Sequence, residues 1–317
     1  MMDLLPPIAL GTWSWGQGFA GGDTVFGHHL TEQDLRPVFS AAMAAGLNLW
    51  DTAAAYGAGT SESMLGRFVR DEARSEVLLS TKFTPQLASA DAANPVAEML
   101  AGSCERLGTD HIDLYWIHNP TQLNHWTRHL VPLLQQGRIR RVGVSNHNLA
   151  QIRQVNQTLG EAGFALSAVQ NHYSLLYRSS EQAGILDHCR EQGITFFAYM
   201  VLEQGALSGR YGVGRPLPEG SVRAATYNPV LAQLQRLTDT MREIGQPHGA
   251  SVAQVAMAWA IAKGTVPIVG VTRVAQVQEA AAAGRLQLTP GEMQALEALA
   301  AQAGVDTRGA WERPMHG

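Results

Sequence analysis

Residues 113–146 read DLYWIHNPTQLNHWTRHLVPLLQQGRIRRVGVSN, and this stretch decides the fold. Asp113–Ile117 is a short apolar run and Thr127–Gln136 has helical spacing. Gly137 stands where a C-cap glycine belongs, and Val142–Val144 is a second short apolar run. Strand, amphipathic helix, glycine, strand is the unit that joins parallel strands through a crossover. The same unit recurs in both directions. Candidate strands are Ile8–Leu10, Leu47–Trp50, Val77–Ser80, Asp113–Ile117, Val142–Val144, Ala168–Gln170, Thr195–Ala198 and Val266–Val269. Helical patterns fall between them at Glu32–Ala45, Ser61–Val69, Pro95–Leu107, Thr127–Gln136, Leu149–Leu159, Glu181–Glu191 and Ser251–Ala262. Gly46, Gly108 and Gly193 close helices as Gly137 does, and Asn94-Pro95 reads as an N-cap followed by a first helical residue. Eight strands alternating with helices predict a closed (β/α)8 TIM barrel, formed by residues 1–317 as one domain.

Two segments break the rhythm. Gln204–Asn228, after the seventh strand, is rich in Gly and Pro and reads as a long covering loop. Pro229–Gly245 reads as an extra helix. Thr289-Pro290-Gly291-Glu292 starts a final C-terminal helix before a loose end, Gly304–Gly317. Met1–Pro7 is expected to cover the barrel bottom only in part.

Composition narrows the function. The 317 residues are 45% hydrophobic and 16% charged with a net charge of −4, which suits a folded globular protein rather than a disordered chain. Scattered basic residues argue against nucleic acid as a partner. No run reaches the ~18 apolar residues of a membrane span. The start MMDLLPPIALGTW lacks a basic region followed by an apolar core, so a cytoplasmic location is expected. Cys104 and Cys189 offer neither a disulfide framework nor metal-ligand spacing. The histidines His28, His29, His125, His129, His172 and His188 are not spaced as ligands, so no metal is expected.

The chemistry gathers at strand ends. Asp51 follows LNLW, Lys82 follows VLLS by two, and His118 follows DLYWI. Ser145-Asn146 follows VGV, Gln170-Asn171 follows AV, and Tyr199 follows TFFA. Each alone has an ordinary structural explanation as a turn former, cap or solvated group. Together they converge on the rim where barrel enzymes place their chemistry. Tyr56, five residues past Asp51, adds a phenol, and an adjacent Lys82 ammonium would lower its pKa. With Asp51 holding Lys82 and His118 donating to a carbonyl oxygen, the set suits hydride reduction of a carbonyl, which needs a cofactor.

These residues carry a resemblance. Gly11-Thr12-Trp13, Asp51-Thr52-Ala53-Ala54-Ala55-Tyr56-Gly57 with Glu62, Ser80-Thr81-Lys82-Phe83, Asp113–His118 and Gly143–His147 occur in order. Val169–Ser174, Ala198-Tyr199 and Gln204-Gly205 follow. Over nearly its whole length the chain resembles the aldo-keto reductases, and among them the bacterial branch related to potassium-channel β subunits. The resemblance implies a catalytic tetrad of Asp51, Tyr56, Lys82 and His118. It implies a nicotinamide cofactor held by Ser145, Asn146 and Gln170, with Tyr199 stacked on the ring. Thr12, Trp13, Asp51 and Met200 join that set, and Leu202, Gln204, Gly205, Leu207 and Arg210 would meet the pyrophosphate. Trp13, Tyr56, Phe83, His118 and Asn119 would meet a small carbonyl substrate; Trp116, although a candidate wall, is expected to face away because it alternates with Tyr115 and Ile117.

The adenosine end departs from the pattern. Gly270, Val271, Thr272, Arg273, Gln276 and Glu279 occupy it, with Gly270 and Gln276 where relatives carry basic residues. Arg273 alone remains for a 2′-phosphate, which favours bidentate Arg contacts. NADP(H) is the favoured cofactor and NAD(H) the alternative. A cofactor-binding redox sensor or regulatory subunit with little turnover is the alternative function.

Overall fold

The computed structural model describes residues 5–309 and 311–316. Eight parallel strands close into one barrel in sequence order: β1 Ala9–Gly11, β2 Leu49–Asp51, β3 Leu78–Phe83, β4 Leu114–Ile117, β5 Val142–Ser145, β6 Ala168–His172, β7 Thr195–Tyr199 and β8 Val266–Gly270. The ring closes through β1 and β8, where Leu10 pairs with Val269. Short α1 (Gly22–Phe26) precedes α2 (Glu32–Ala44), α3 (Thr60–Val69), α4 (Pro95–Leu107), α5 (Leu123–Gln135) and α6 (Leu149–Gly160). After them come α7 (Ser179–Gln182), α8 (Ile185–Gln192), α9 (Val222–Tyr227), α10 (Leu231–Gly245), α11 (Val252–Ala262), α12 (Val274–Ala283) and α13 (Pro290–Ala303).

Helix ends follow the chemistry of their termini. The Asn94 side chain accepts from the Ala97 N–H ahead of α4, and Thr289 and Glu292 form a reciprocal capping box on α13. Gly46, Gly108, Gly137 and Gly193 all take positive φ. The expected helix Glu181–Glu191 is two helices, because Gly184 at φ +74° ends α7 and begins α8. The covering loop is less irregular than its Gly and Pro content suggests, since it contains α9 between Val222 and Tyr227.

Alternation along the strands sorts the side chains into two cores. Leu49, Leu114, Trp116, Ala168 and Phe197 point inward and fill the barrel floor, with Leu5 packed against them. Trp50, Leu79, Phe83, Tyr115 and Val169 point outward into the layer between sheet and helices. Trp116 therefore faces the barrel interior, against the expectation that it points away, and forms floor rather than pocket wall. A side chain at Gly143 would meet its ring at 2.2 Å, so only glycine fits there. Of the expected N-terminal cover, residues 1–4 lie outside the described residues. The tail is not loose: Thr307, Glu312 and Met315 are buried.

Candidate active site

The C-terminal strand ends open into a cavity of about 810 Å³. Asp51 on β2 borders it, registered opposite Ser80, and Lys82 on the neighbouring β3 lies buried behind Asp51 and Tyr56. Lys82 is fully buried, and its Nζ donates to Asp51 Oδ2 at 2.6 Å, to the Thr52 carbonyl at 2.7 Å and to Tyr56 Oη at 3.1 Å. Every proton of the ammonium is thereby used, which is what a buried cation requires. Asp51 Oδ1 accepts from Ser80 Oγ at 2.8 Å and from Gln170 Nε2 at 3.2 Å. Trp116 Nε1 in turn donates to Ser80 Oγ at 2.6 Å, which ties the floor to the charged pair above it.

Tyr56 is carried on the loop after β2. Gly57 beside it has φ +58°, and a side chain there would strike Thr60 Oγ1 and the Gln17 backbone. The ring lies against Trp13 at 5.8 Å and meets His118 edge-on at 5.9 Å. Burial pushes the phenol above its ordinary pKa and outweighs the opposing pull of Lys82. The expected lowering is thus reversed in sign, although Lys82 is the group that restrains the rise. Lys82 itself is raised: burial works against the charge, but Asp51 and Tyr56 together overcome it. His118 is pushed down to about 3 by burial and by Lys82, so its imidazole is neutral at ordinary pH. Its Nδ1 lies 2.9 Å from Thr84 Oγ1; when Thr84 donates, the ring proton sits on Nε2.

On the opposite wall, Ser145, Asn146 and Gln170 form one buried amide cluster. Asn146 Nδ2 donates to the His118 carbonyl at 3.0 Å, and Tyr199 Oη donates to Asn146 Oδ1 at 2.6 Å. Asn146, Met200 and Gln204 all line the cavity with positive φ, a conformation that non-glycine residues adopt at a cost of about 1–3 kcal/mol where surrounding structure imposes it. Arg210, Arg223 and Arg273 line the far end, and no described carboxylate pairs with any of the three. Arg223 is a residue the sequence reading passed over. Its Nη1 donates to the Gln204 carbonyl while its buried Nε has no partner.

The structure brings together Trp13, Asp51, Tyr56, His118, Asn119, Ser145, Asn146, Gln170 and Tyr199. Met200, Leu202, Gln204, Gly205, Arg210, Gly270, Thr272, Arg273 and Gln276 also border the cavity. Six expected site residues do not border it, and Lys82, buried behind Asp51 and Tyr56, is the first of them. Phe83 faces outward and packs on Trp126 at 5.0 Å. Thr12 is buried against Ser61, Leu207 is buried in the core, and Val271 is buried with its carbonyl taking the Trp15 Nε1 proton. Glu279 lies farther along α12. Gln276 borders the cavity but turns its Oε1 back to the Thr272 N–H at 2.8 Å. Among the lining residues missed are Phe19, Phe26, His28, Tyr211, Arg223 and Trp311.

Comparison with known proteins agrees with this geometry. The model of the aldo/keto reductase family matches residues 7–301. Pyridoxal reductase, chloroplastic, of Arabidopsis thaliana is 32% identical over 311 residues, covering 92% of this chain and 82% of that protein. An aldo/keto reductase from Klebsiella pneumoniae, crystallised with NADP and acetate, superposes with a TM-score of 0.71 at 27% identity, covering 93% of this chain and 91% of that one. The glycerol dehydrogenase AKR11B4 from Gluconobacter oxydans shares the fold, with a TM-score of 0.81 at 24% identity over 95% of this chain and 93% of its own. A strand-ordered barrel with this rim and this match over most of its length belongs to the aldo/keto reductase family, and the chain is an oxidoreductase of that family. Among the described residues, no helix is long and apolar enough to cross a membrane.

Proposed function

We propose that the chain reduces aldehydes or ketones to alcohols with a nicotinamide cofactor, NADPH in preference to NADH, and that Tyr56 is the proton donor. The observation that carries this reading is the buried chain Asp51–Lys82–Tyr56, which ends with a phenol at the cavity beside a neutral imidazole. The residues fit a dinucleotide. Ser145, Asn146 and Gln170 supply amide and hydroxyl partners for a carboxamide, Tyr199 supplies a ring face, and three arginines without carboxylates suit phosphates. When bound, the reduced nicotinamide supplies a hydride to the carbonyl carbon. Neutral His118 offers an N–H to the carbonyl oxygen, and Tyr56 delivers its proton to that oxygen as it becomes alkoxide-like. An alkoxide is more basic than a phenolate, so the transfer runs downhill even from a phenol raised by burial. Lys82 holds the phenolate left behind, and Asp51 holds Lys82. Lys82 and Asp51 act only through Tyr56.

Trp13, Phe26 and Tyr56 wall the outer cavity with rings. That supports a flat, bulky carbonyl, and the name of the Arabidopsis relative makes pyridoxal the first compound to try. The test is NADPH consumption with pyridoxal, benzaldehyde and propanal, repeated with NADH. Tyr56→Phe is expected to lose about 10²- to 10⁴-fold in turnover while binding NADPH nearly as before. Absence of turnover by the wild-type protein across the panel, or retention of more than about a tenth of it in Tyr56→Phe, overturns the reading.

A further inference from the structure

A second buried charge cluster lies across the barrel mouth from Lys82, and the reaction above does not use it. His172 stands on the inner face of β6, two residues beyond Gln170, and is 1% exposed. Its Nε2 lies 2.9 Å from Glu203 Oε1 and its Nδ1 lies 2.9 Å from Glu312 Oε1, with both carboxylates buried. Glu203 belongs to the turn after β7 that borders the cavity. It also accepts the hydroxyls of Ser174, of Tyr227 on α9 at 2.7 Å and of Thr307 on the tail at 3.1 Å. Glu312 Oε1 also lies 3.2 Å from Tyr199 Oη, whose single proton it shares with the nearer Asn146 Oδ1. Tyr177 and Tyr199 sandwich the imidazole at 4.3 Å and 5.6 Å.

Packing alone does not call for this cluster. Burying an imidazole with two carboxylates costs desolvation that an apolar contact of the same size avoids, so such groups tend to be kept for the geometry they impose. Here that geometry joins three segments far apart in sequence: strand β6, the turn after β7 and the C-terminal tail. The residue beside Glu312 shows what the joining positions. Trp311 is 46% exposed, borders the cavity, and meets the edge of Trp13 at 6.2 Å, with Trp13 itself against Tyr56. The tail wall and the phenol thus face the same space.

We propose that Glu312 is a positioning residue: gripped by His172, which Glu203 holds from the other side, it seats the C-terminal tail so that Trp311 closes the substrate end of the cavity against Trp13 and selects bulky, flat carbonyl compounds over short aliphatic ones. This rests on the carbonyl-reductase reading. The tail acts on substrate fit, not on proton transfer, so its loss separates KM from kcat.

The test compares wild type, Glu312→Gln, Trp311→Ala and the double variant, with benzaldehyde and propanal at saturating NADPH, alongside limited trypsin digestion. Arg308 precedes Gly309 three residues before Trp311, whereas Arg313 precedes Pro314 and resists trypsin, so cleavage after Arg308 reports release of the tail without any need for turnover. Glu312→Gln is expected to speed that cleavage and to raise KM for benzaldehyde about tenfold, the size of one lost aromatic contact, with kcat and the propanal constants little changed. Trp311→Ala should raise the same KM without the charge defect, and the double variant should be no worse than Trp311→Ala alone. Should Glu312→Gln fail to fold, Trp311→Ala still decides whether this wall selects flat substrates. Equal loss for both aldehydes, additive effects in the double variant, or an undisturbed tail with an unchanged KM overturns the proposal. If wild-type protein reduces neither aldehyde, the carbonyl-reductase reading fails, while the digestion still decides whether Glu312 seats the tail.

Discussion

Two regions of this barrel bury charge within one mouth, and they do it differently. At the β2–β3 corner a single ammonium, Lys82, faces one carboxylate, and its third proton goes to the phenol of Tyr56. At the β6–β7 side one imidazole is shared between two carboxylates. The first cluster is built from residues within about thirty positions of one another on adjacent strands, and it points at the cavity. The second reaches from residue 172 to residue 312 and points at another piece of chain. A local cluster with an open end suits chemistry. A long-range cluster whose Ser174, Tyr227 and Thr307 hydroxyls turn inward suits assembly.

Removing one charge from each side should break the comparison most sharply at the first. Lys82→Met leaves Asp51 buried with only neutral donors, Ser80 and Gln170. Breaking a buried pair in this way costs about 3–5 kcal/mol, so thermal unfolding should shift strongly downward. In any activity that remains, the apparent pKa of the proton donor should rise, because the one group that opposes the burial of Tyr56 is gone. A residual pH–rate profile that titrates where the wild type does would count against the Asp51–Lys82–Tyr56 chain. Glu312→Gln, by contrast, leaves His172 with Glu203 and should unfold closer to the wild type.

That contrast also explains what could be read in the sequence. Asp51, Lys82, His118, Ser145, Gln170 and Tyr199 each follow an apolar run directly or within two residues, so strand ends alone located them. The same periodicity fixes which neighbours face away. If Lys82 points inward, Phe83 must point outward, and it does, onto Trp126. Trp116 obeys the same parity: two residues before His118, it shares the inner face and becomes floor. The tail had no such signal. Gly304–Gly317 shows no period and its partners lie more than a hundred residues away, so nothing local marks Glu312 or Trp311 as part of the site. Arg223 sits in a segment, Gln204–Asn228, whose Gly and Pro content reads as loop, and Glu203 immediately precedes it. Their roles depend on where that loop folds back, which only tertiary packing decides.

Titration sharpens the comparison with a smaller effect. Burial and Lys82 hold His118 down to about 3, and burial holds His147 down to about 4 despite the Ser145 carbonyl, against 6.5 for a free imidazole. Below 6.5 the unfolded chain takes up protons that these folded imidazoles refuse, so stability falls with acid, by on the order of 2 kcal/mol from each at pH 5. His172 runs the other way. Burial opposes its charge, but Glu203 and Glu312 raise it to about 9, with Tyr177, Tyr199 and Tyr227 as the other titratable groups around the cluster. Its contribution is whole below 6.5 and is lost as pH rises through 9, a loss of about 3 kcal/mol. Unfolding free energy against pH should therefore peak near 6.5, and His172→Asn should flatten the alkaline limb while leaving the acid limb alone. An unchanged alkaline limb in that variant would remove His172 from the account.

The smallest effect belongs to a cation outside both clusters. Arg273 is the exposed N-cap residue of α12, makes no side-chain cap bond, and borders the cavity with no carboxylate partner among the described residues. Gln276, three residues on, has its side-chain oxygen committed to Thr272. A phosphate placed beside Arg273 would meet its guanidinium without help from the Gln276 oxygen. A charge-assisted hydrogen bond contributes about 1.5–3 kcal/mol when shielded, and solvent at an exposed site reduces that toward 1 kcal/mol. Arg273→Ala should accordingly weaken NADPH binding by about five- to tenfold and leave NADH binding almost unchanged, measured by quenching of tryptophan fluorescence on titrating each cofactor. Equal weakening of both would move Arg273 to a phosphate that the two cofactors share. No change in either would leave the adenosine end without a charged reader and make NADH the better donor.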